Sequence, residues 1–158
     1  MSINCISTII KYIDQKIVLL NKFREITSKI TGSDFDSLAG FIAERQVVIN
    51  DIDNKTEKIK KVIVEQTEDI AGIINQLIRF EKIECSQEYI PLKKKAEELE
   101  NLLIQISEEE KSVLEKMENL KKELEIDMLK SNKSKKVLDY CNSLIGVASS
   151  GKTFDSLT

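Results

Sequence analysis

Apolar residues recur along this chain at steps of three and four, the spacing that lines one face of an α-helix. Ile3, Ile6, Ile10, Ile13, Ile17 and Leu20 open the series, and the phase then slips to Phe23, Ile26 and Ile30. A first helix is predicted over residues 2–31. Gly32 stands where a left-handed residue commonly closes a helix. Ser33 followed by Asp36 resembles a capping box for the next one.

The second helix is predicted over residues 34–84. Leu38, Ile42, Ile49, Ile52, Ile59, Ile63, Ile70, Ile73, Leu77 and Phe80 keep one register, with Arg45, Thr56 and Gln66 at its remaining positions. That 3.5-residue period points to coiled-coil packing, in which polar seam residues lose stability but fix register. Residues 65–69 are the place for a break, since Thr67 suits a new N-cap. The pattern lapses over 84–90, and Pro91 then suits a helix's first turn. The third helix, residues 91–130, carries Leu92, Ala96, Leu99, Leu103, Ile106, Val113, Met117, Leu120 and Leu124, with Glu110 the exception.

A shorter apolar group at Val137, Leu138, Tyr140, Cys141, Leu144 and Ile145 reads as a last helix over 133–145, or as a continuation of the third. Residues 146–158 read as a flexible polar tail. The expected fold is all-α: an elongated antiparallel helical bundle or coiled coil of three long helices with a short C-terminal helical segment. At 1.5 Å per residue the first helix spans ~43 Å and the others roughly 70–80 Å. The far end, around residues 65–110, is therefore expected to protrude as a two-helix hairpin. The third helix explains Leu19, Phe41, Val48 and Val62, whereas Ile74, Ile78, Leu102 and Ile104 are expected to be exposed, self-associating or covered by a partner.

Composition narrows the function classes. The 158 residues are 41% hydrophobic and 32% charged, with one proline and five glycines, too little punctuation for a many-stranded β fold. The three cysteines, Cys5, Cys85 and Cys141, are widely spaced and read as reduced thiols of a cytoplasmic protein. Lys11, Asp14 and Lys16 interrupt the apolar N-terminal stretch, so neither a signal peptide nor membrane insertion is expected. The glycosylation patterns at Asn54 and Asn132 would then go unused.

A net charge of −3 argues against nucleic acid as a partner. The basic cluster of Lys130, Lys133, Lys135 and Lys136 reads as a solvated helix end. No histidine is present, which removes the commonest general base and metal ligand. Gly146 to Thr153 matches G-x-x-x-x-G-K-[ST] letter for letter. A phosphate loop, however, needs a strand before it and a helix after it, and here a helix precedes and five residues follow. Glu108, Glu109 and Glu110 are expected on a solvated helix face. Cys141 lacks a histidine to activate it. No catalytic residue, metal or cofactor is predicted.

Two stretches carry a family resemblance. Gly32-Ser-Asp-Phe-Asp-Ser-Leu38 runs into Glu44-Arg45-Gln-Val-Val-Ile49-Asn-Asp-Ile52, and a Lys-rich stretch precedes Tyr140 near a polar ending. Together with the helical layout, they resemble flagellar type III export chaperones of the FlgN/FliT kind. The resemblance implies a cytoplasmic chaperone. It would bind hook-filament junction or cap subunits and keep them soluble for type III export. It also implies that Val137, Leu138, Tyr140, Cys141, Leu144 and Ile145 take part in client binding or its control. The chain departs from the family pattern in its longer third helix and in the cysteine after Tyr140. Those six residues read equally as an ordinary core helix. A spacer or tether (including a homo-oligomer) and a regulator that sequesters a protein are the alternatives to the chaperone reading.

Overall fold

The computed structural model describes residues 2–127 and 139–145, and all of its regular structure there is helical. Helix α1 is Ser2–Gly32, α2 is Phe35–Val64, α3 is Glu68–Ile78 and α4 is Ile90–Asp127. A 3₁₀ turn, Gln87–Tyr89, leads into α4, and residues 139–145 form a last helix, α5. The fold is an all-α bundle with three long helices, as the periodicity predicts.

Helix α1 lies between α2 and α4 and packs on both. Its register against α2 is antiparallel, for Lys58 sits over Tyr12 and Arg45 over Phe23. Against α4 it runs parallel. Lys95 pairs with Asp14 and Arg24 with Glu109, and Lys116 reaches the carbonyls of Ile30, Thr31 and Ser33.

The buried stripe of α1 is Ile6, Ile9, Ile13, Lys16, Leu20, Phe23, Thr27 and Ile30. It is one uninterrupted alternation of threes and fours. The apparent phase slip in the sequence arises because a lysine and a threonine occupy seam positions while Ile10 and Ile17 flank the seam, half-buried. On α4 the predicted register holds: Leu92, Ala96, Leu99, Leu103, Ile106, Val113, Met117 and Leu124 are all buried. Of the residues assigned to cover by the third helix, Val48 is buried, while Leu19, Phe41 and Val62 pack half-buried against the core.

The joint after α1 differs from expectation. Gly32 does not adopt a left-handed φ. Instead Ser33 bonds back to Ile30 through both its N–H and its hydroxyl. The Lys116 ammonium donates to three carbonyls at 2.6, 2.7 and 3.1 Å. A cation from another helix therefore satisfies the carbonyls that a glycine-closed end would bond locally. Asp34, not Ser33, caps α2, and its side chain accepts from the Ser37 N–H at 3.0 Å. The Ser37 N–H, and after it the Ser37 hydroxyl, hold the Asp34 carboxyl below its usual range.

The expected helix over 34–84 is two helices. The chain turns at 65–67, with Thr67 as the N-cap of α3 though without a side-chain capping bond. Helix α3 ends in a Schellman arrangement: Glu81 N–H donates to the Gln76 carbonyl and Phe80 N–H to that of Leu77. Phe80 holds the left-handed position at φ 65°.

These two turns remove the protruding hairpin. Helix α3 folds onto α2 and α4, and the pair between Lys95 and Asp14 shows that α1 reaches the start of α4. Ile74 and Leu102 are consequently buried and Ile78 is half-buried, whereas Ile104 stays 52% exposed. Helix α2, at 30 residues, spans ~45 Å, short of the 70–80 Å expected, and the described part of α4 spans ~57 Å. Among the described residues no helix is long and apolar enough to cross a membrane.

Candidate partner-binding site

Ile42, Arg45 and Ile49 share one face of α2, three and four residues apart, with Gln46 beside them. Tyr140, Ser143 and Leu144 share one face of α5 by the same spacing. The two faces meet around a cavity of about 70 Å³. Its walls are mainly apolar, Gln46 and Ser143 add polar atoms, and Arg45 brings the charge.

The residues singled out in the last helix divide by face. Cys141 is completely buried, its Sγ 3.7 Å from the Met117 Sδ of α4. Burial pushes its thiol above the usual cysteine range, away from the thiolate a nucleophile needs. Tyr140 is 44% exposed, and Leu144 and Ile145 are half-buried against the core. Cys141 therefore anchors the helix while Tyr140 and Leu144 look onto the groove. Val137 and Leu138 lie outside the described residues, as do the Gly146–Thr153 motif and the 146–158 segment.

Beneath the groove is a buried ion pair. An Arg45 Nη2–H donates to the Glu110 carboxylate, with the two side chains 2% and 4% exposed. The guanidinium lies over the Phe23 ring, 4.4 Å from its centroid, a cation–π contact made in desolvated surroundings. Glu110 thus corrects the expectation of a solvated carboxylate run. Of the three, Glu108 is exposed, while Glu109 forms a forked pair with Arg24 at 2.6 to 3.1 Å. The fork holds the Arg24 guanidinium above its ordinary range. Arg45 Nε and Nη1 and Glu110 Oε1 are buried without a protein partner among the described residues.

The larger hollows lie elsewhere. A trough of about 550 Å³ between α1 and α4 is lined mainly by Asn21, Arg24, Thr27, Glu109 and Ser112. One of about 420 Å³ continues it past Lys116 and Leu120. Both are open; Arg24 and Glu109 are paired with each other in the first, and Lys116 in the second is bound to the carbonyls that end α1.

Lys16 escaped the sequence reading. It sits in the α1 seam, 2% exposed, and burial lowers its ammonium to about 8, against the opposing pull of Asp53. The signal was present, since residue 16 falls three after Ile13 and four before Leu20. No group of three or more metal-ligating side chains gathers among the described residues. No family model, curated protein or solved structure matches the chain.

Proposed function

We propose that this chain is a non-enzymatic, cytoplasmic helix-binding chaperone, of the flagellar type III export kind that its sequence resembles. The client would be a hook-associated or cap subunit. The observation that supports the reading is the α2–α5 groove, where Tyr140 stands exposed beside Ile42 and Leu144.

An isolated client helix has no neighbour on which to bury its apolar stripe, and a groove between two helices offers one. Tyr140 supplies a large contact with few rotamers to lose, the kind of residue that dominates binding energies. Helix α5 is held through Cys141, so Tyr140 is presented on a fixed backbone.

The experiment is titration of the purified chain with purified hook-filament junction and cap subunits, followed by size-exclusion chromatography and calorimetry. The expected result is a soluble complex of defined stoichiometry whose affinity falls when Tyr140 is truncated. Self-assembly with no subunit bound favours the spacer reading instead, and selective capture of a transcription activator favours the sequestering regulator.

A further inference from the structure

The two hollows between α1 and α4 form one groove, for Thr31 and Ser112 line both. Among the described residues, only α1 and α4 supply its walls. Along α4 it runs from Glu109 to Glu123, ~21 Å at 1.5 Å per residue. A small molecule binds where walls enclose most of its surface. An open trench of this length suits a rod instead, and a helix of about four turns matches it.

The charges along the trench restrict that rod. Four carboxylates line it, Glu25, Glu109, Glu115 and Glu123, against two cations, Arg24 and Lys116. Both cations are committed, Arg24 to Glu109 and Lys116 to the three carbonyls at the end of α1. Glu25, Glu115 and Glu123 are exposed, and among the described residues none of them forms an ion pair. Lys22, Lys29, Lys111 and Lys122 are close in sequence but do not line the groove. Uncompensated carboxylates therefore stand on both banks, Glu25 on α1 and the other two on α4. Leu120, half-buried and between those two in sequence, offers an apolar seat.

From this we infer that the α1–α4 groove is a second docking surface, for a basic amphipathic helix of another protein whose lysines or arginines flank a short apolar stripe. Such a helix lays its stripe in the groove, and its cations meet the free carboxylates at the edges. The inference goes beyond the client reading, since this groove and the one under Tyr140 share no lining residue.

The probe is an alanine-based helical peptide of about 16 residues, with leucines along one face and lysines beside them. It is titrated into the full chain by calorimetry, and its counterpart carries glutamate for each lysine. The expected result is saturable binding of the lysine peptide, weakened by salt, and none of the glutamate peptide. Backbone amide NMR should place the shifts within residues 21–31 and 109–123. Glu115→Gln with Glu123→Gln changes two exposed side chains and should weaken binding about tenfold. Tyr140→Ala, in the other groove, should leave it unchanged. Equal affinity of the two peptides, or of parent and double variant, would overturn the proposal. So would shifts centred on the α2–α5 groove, or no saturable binding. Self-association of the parent that the double variant abolishes would make the occupant a second copy, and the proposal would fail. Binding of flagellar subunits tests the client reading separately, because it should be weakened by Tyr140→Ala and kept in the double variant.

Discussion

Arg45 of α2 and Glu110 of α4 bond to each other across the bundle core. They are seam positions at which the apolar registers of their two helices are interrupted. Each would be expensive alone, since a charge without a partner in such surroundings loses its hydration for nothing. Together they fix one axial register between α2 and α4, as a polar seam residue does in a coiled coil.

Arg45→Met and Glu110→Leu should therefore each cost about 3–5 kcal/mol by leaving the partner buried and unpaired. The double variant should return to within about 1–2 kcal/mol of the parent, or exceed it. Denaturant unfolding of all four proteins measures the coupling. Strictly additive losses would show that the pair does not act as a unit.

Much of this was legible in the sequence, and the gaps have physical causes. Periodicity finds a seam only by its apolar members, so α4 was read almost residue by residue. The α1 seam was misphased where Lys16 and Thr27 stand in it. That Arg45 and Glu110 were exceptions was visible; that they meet was not, because pairing depends on how the helices align. The α2–α3 break was foreseen at Thr67, but the left-handed Phe80 was not, since a phenylalanine there carries no turn signal. In the site, Tyr140 and Cys141 read alike as apolar, and only docking against Met117 separates the anchoring residue from the exposed one.

Lys16 predicts a pH dependence of known sign. Its ammonium titrates at about 8 in the folded chain, against 10.5 in an unperturbed one. Between those values the unfolded state binds the more protons, so stability rises with pH there. At 1.36 kcal/mol per pKa unit, holding the charge inside costs the fold about 3 kcal/mol below pH 8. Lys16→Met should thus be more stable at pH 7, by up to about that amount, and its advantage should fade between pH 8 and 10.5. The buried thiols of Cys5 and Cys141 are raised by burial and act in the opposite sense, but they are common to both proteins and cancel in the difference. Unfolding curves at pH 7 and pH 10 measure it, and an unchanging gap would contradict the assignment.

Phe80 offers a test of backbone strain. It packs half-buried against the core yet occupies a left-handed position that glycine adopts without steric cost. Phe80→Ala should lose the ring's packing and keep the strain, whereas Phe80→Gly loses the packing and relieves it. The glycine variant should therefore be the more stable of the two by about 1 kcal/mol. The order of their denaturation midpoints decides the matter, and an alanine variant at or above the glycine one would show that the turn carries no such strain.

The last test separates anchor from contact within α5, where two adjacent residues differ in burial. Cys141 is completely buried against Met117, and Tyr140 is 44% exposed. Cys141→Asp sets an unpaired charge in the core and should lower the melting temperature sharply, a loss of several kcal/mol being usual for such a change. Tyr140→Ala removes a side chain that is only partly covered and should lower the melting temperature far less than Cys141→Asp does. If a client helix seats on the groove, the same variant should weaken capture about 30-fold, the equivalent of ~2 kcal/mol for a truncated aromatic anchor. Melting temperature and client affinity, measured on both variants, therefore give two independent axes. Tyr140→Ala falling on the stability axis and not on the affinity axis would make α5 an ordinary core helix, and the search for the client surface would move to the α1–α4 trough.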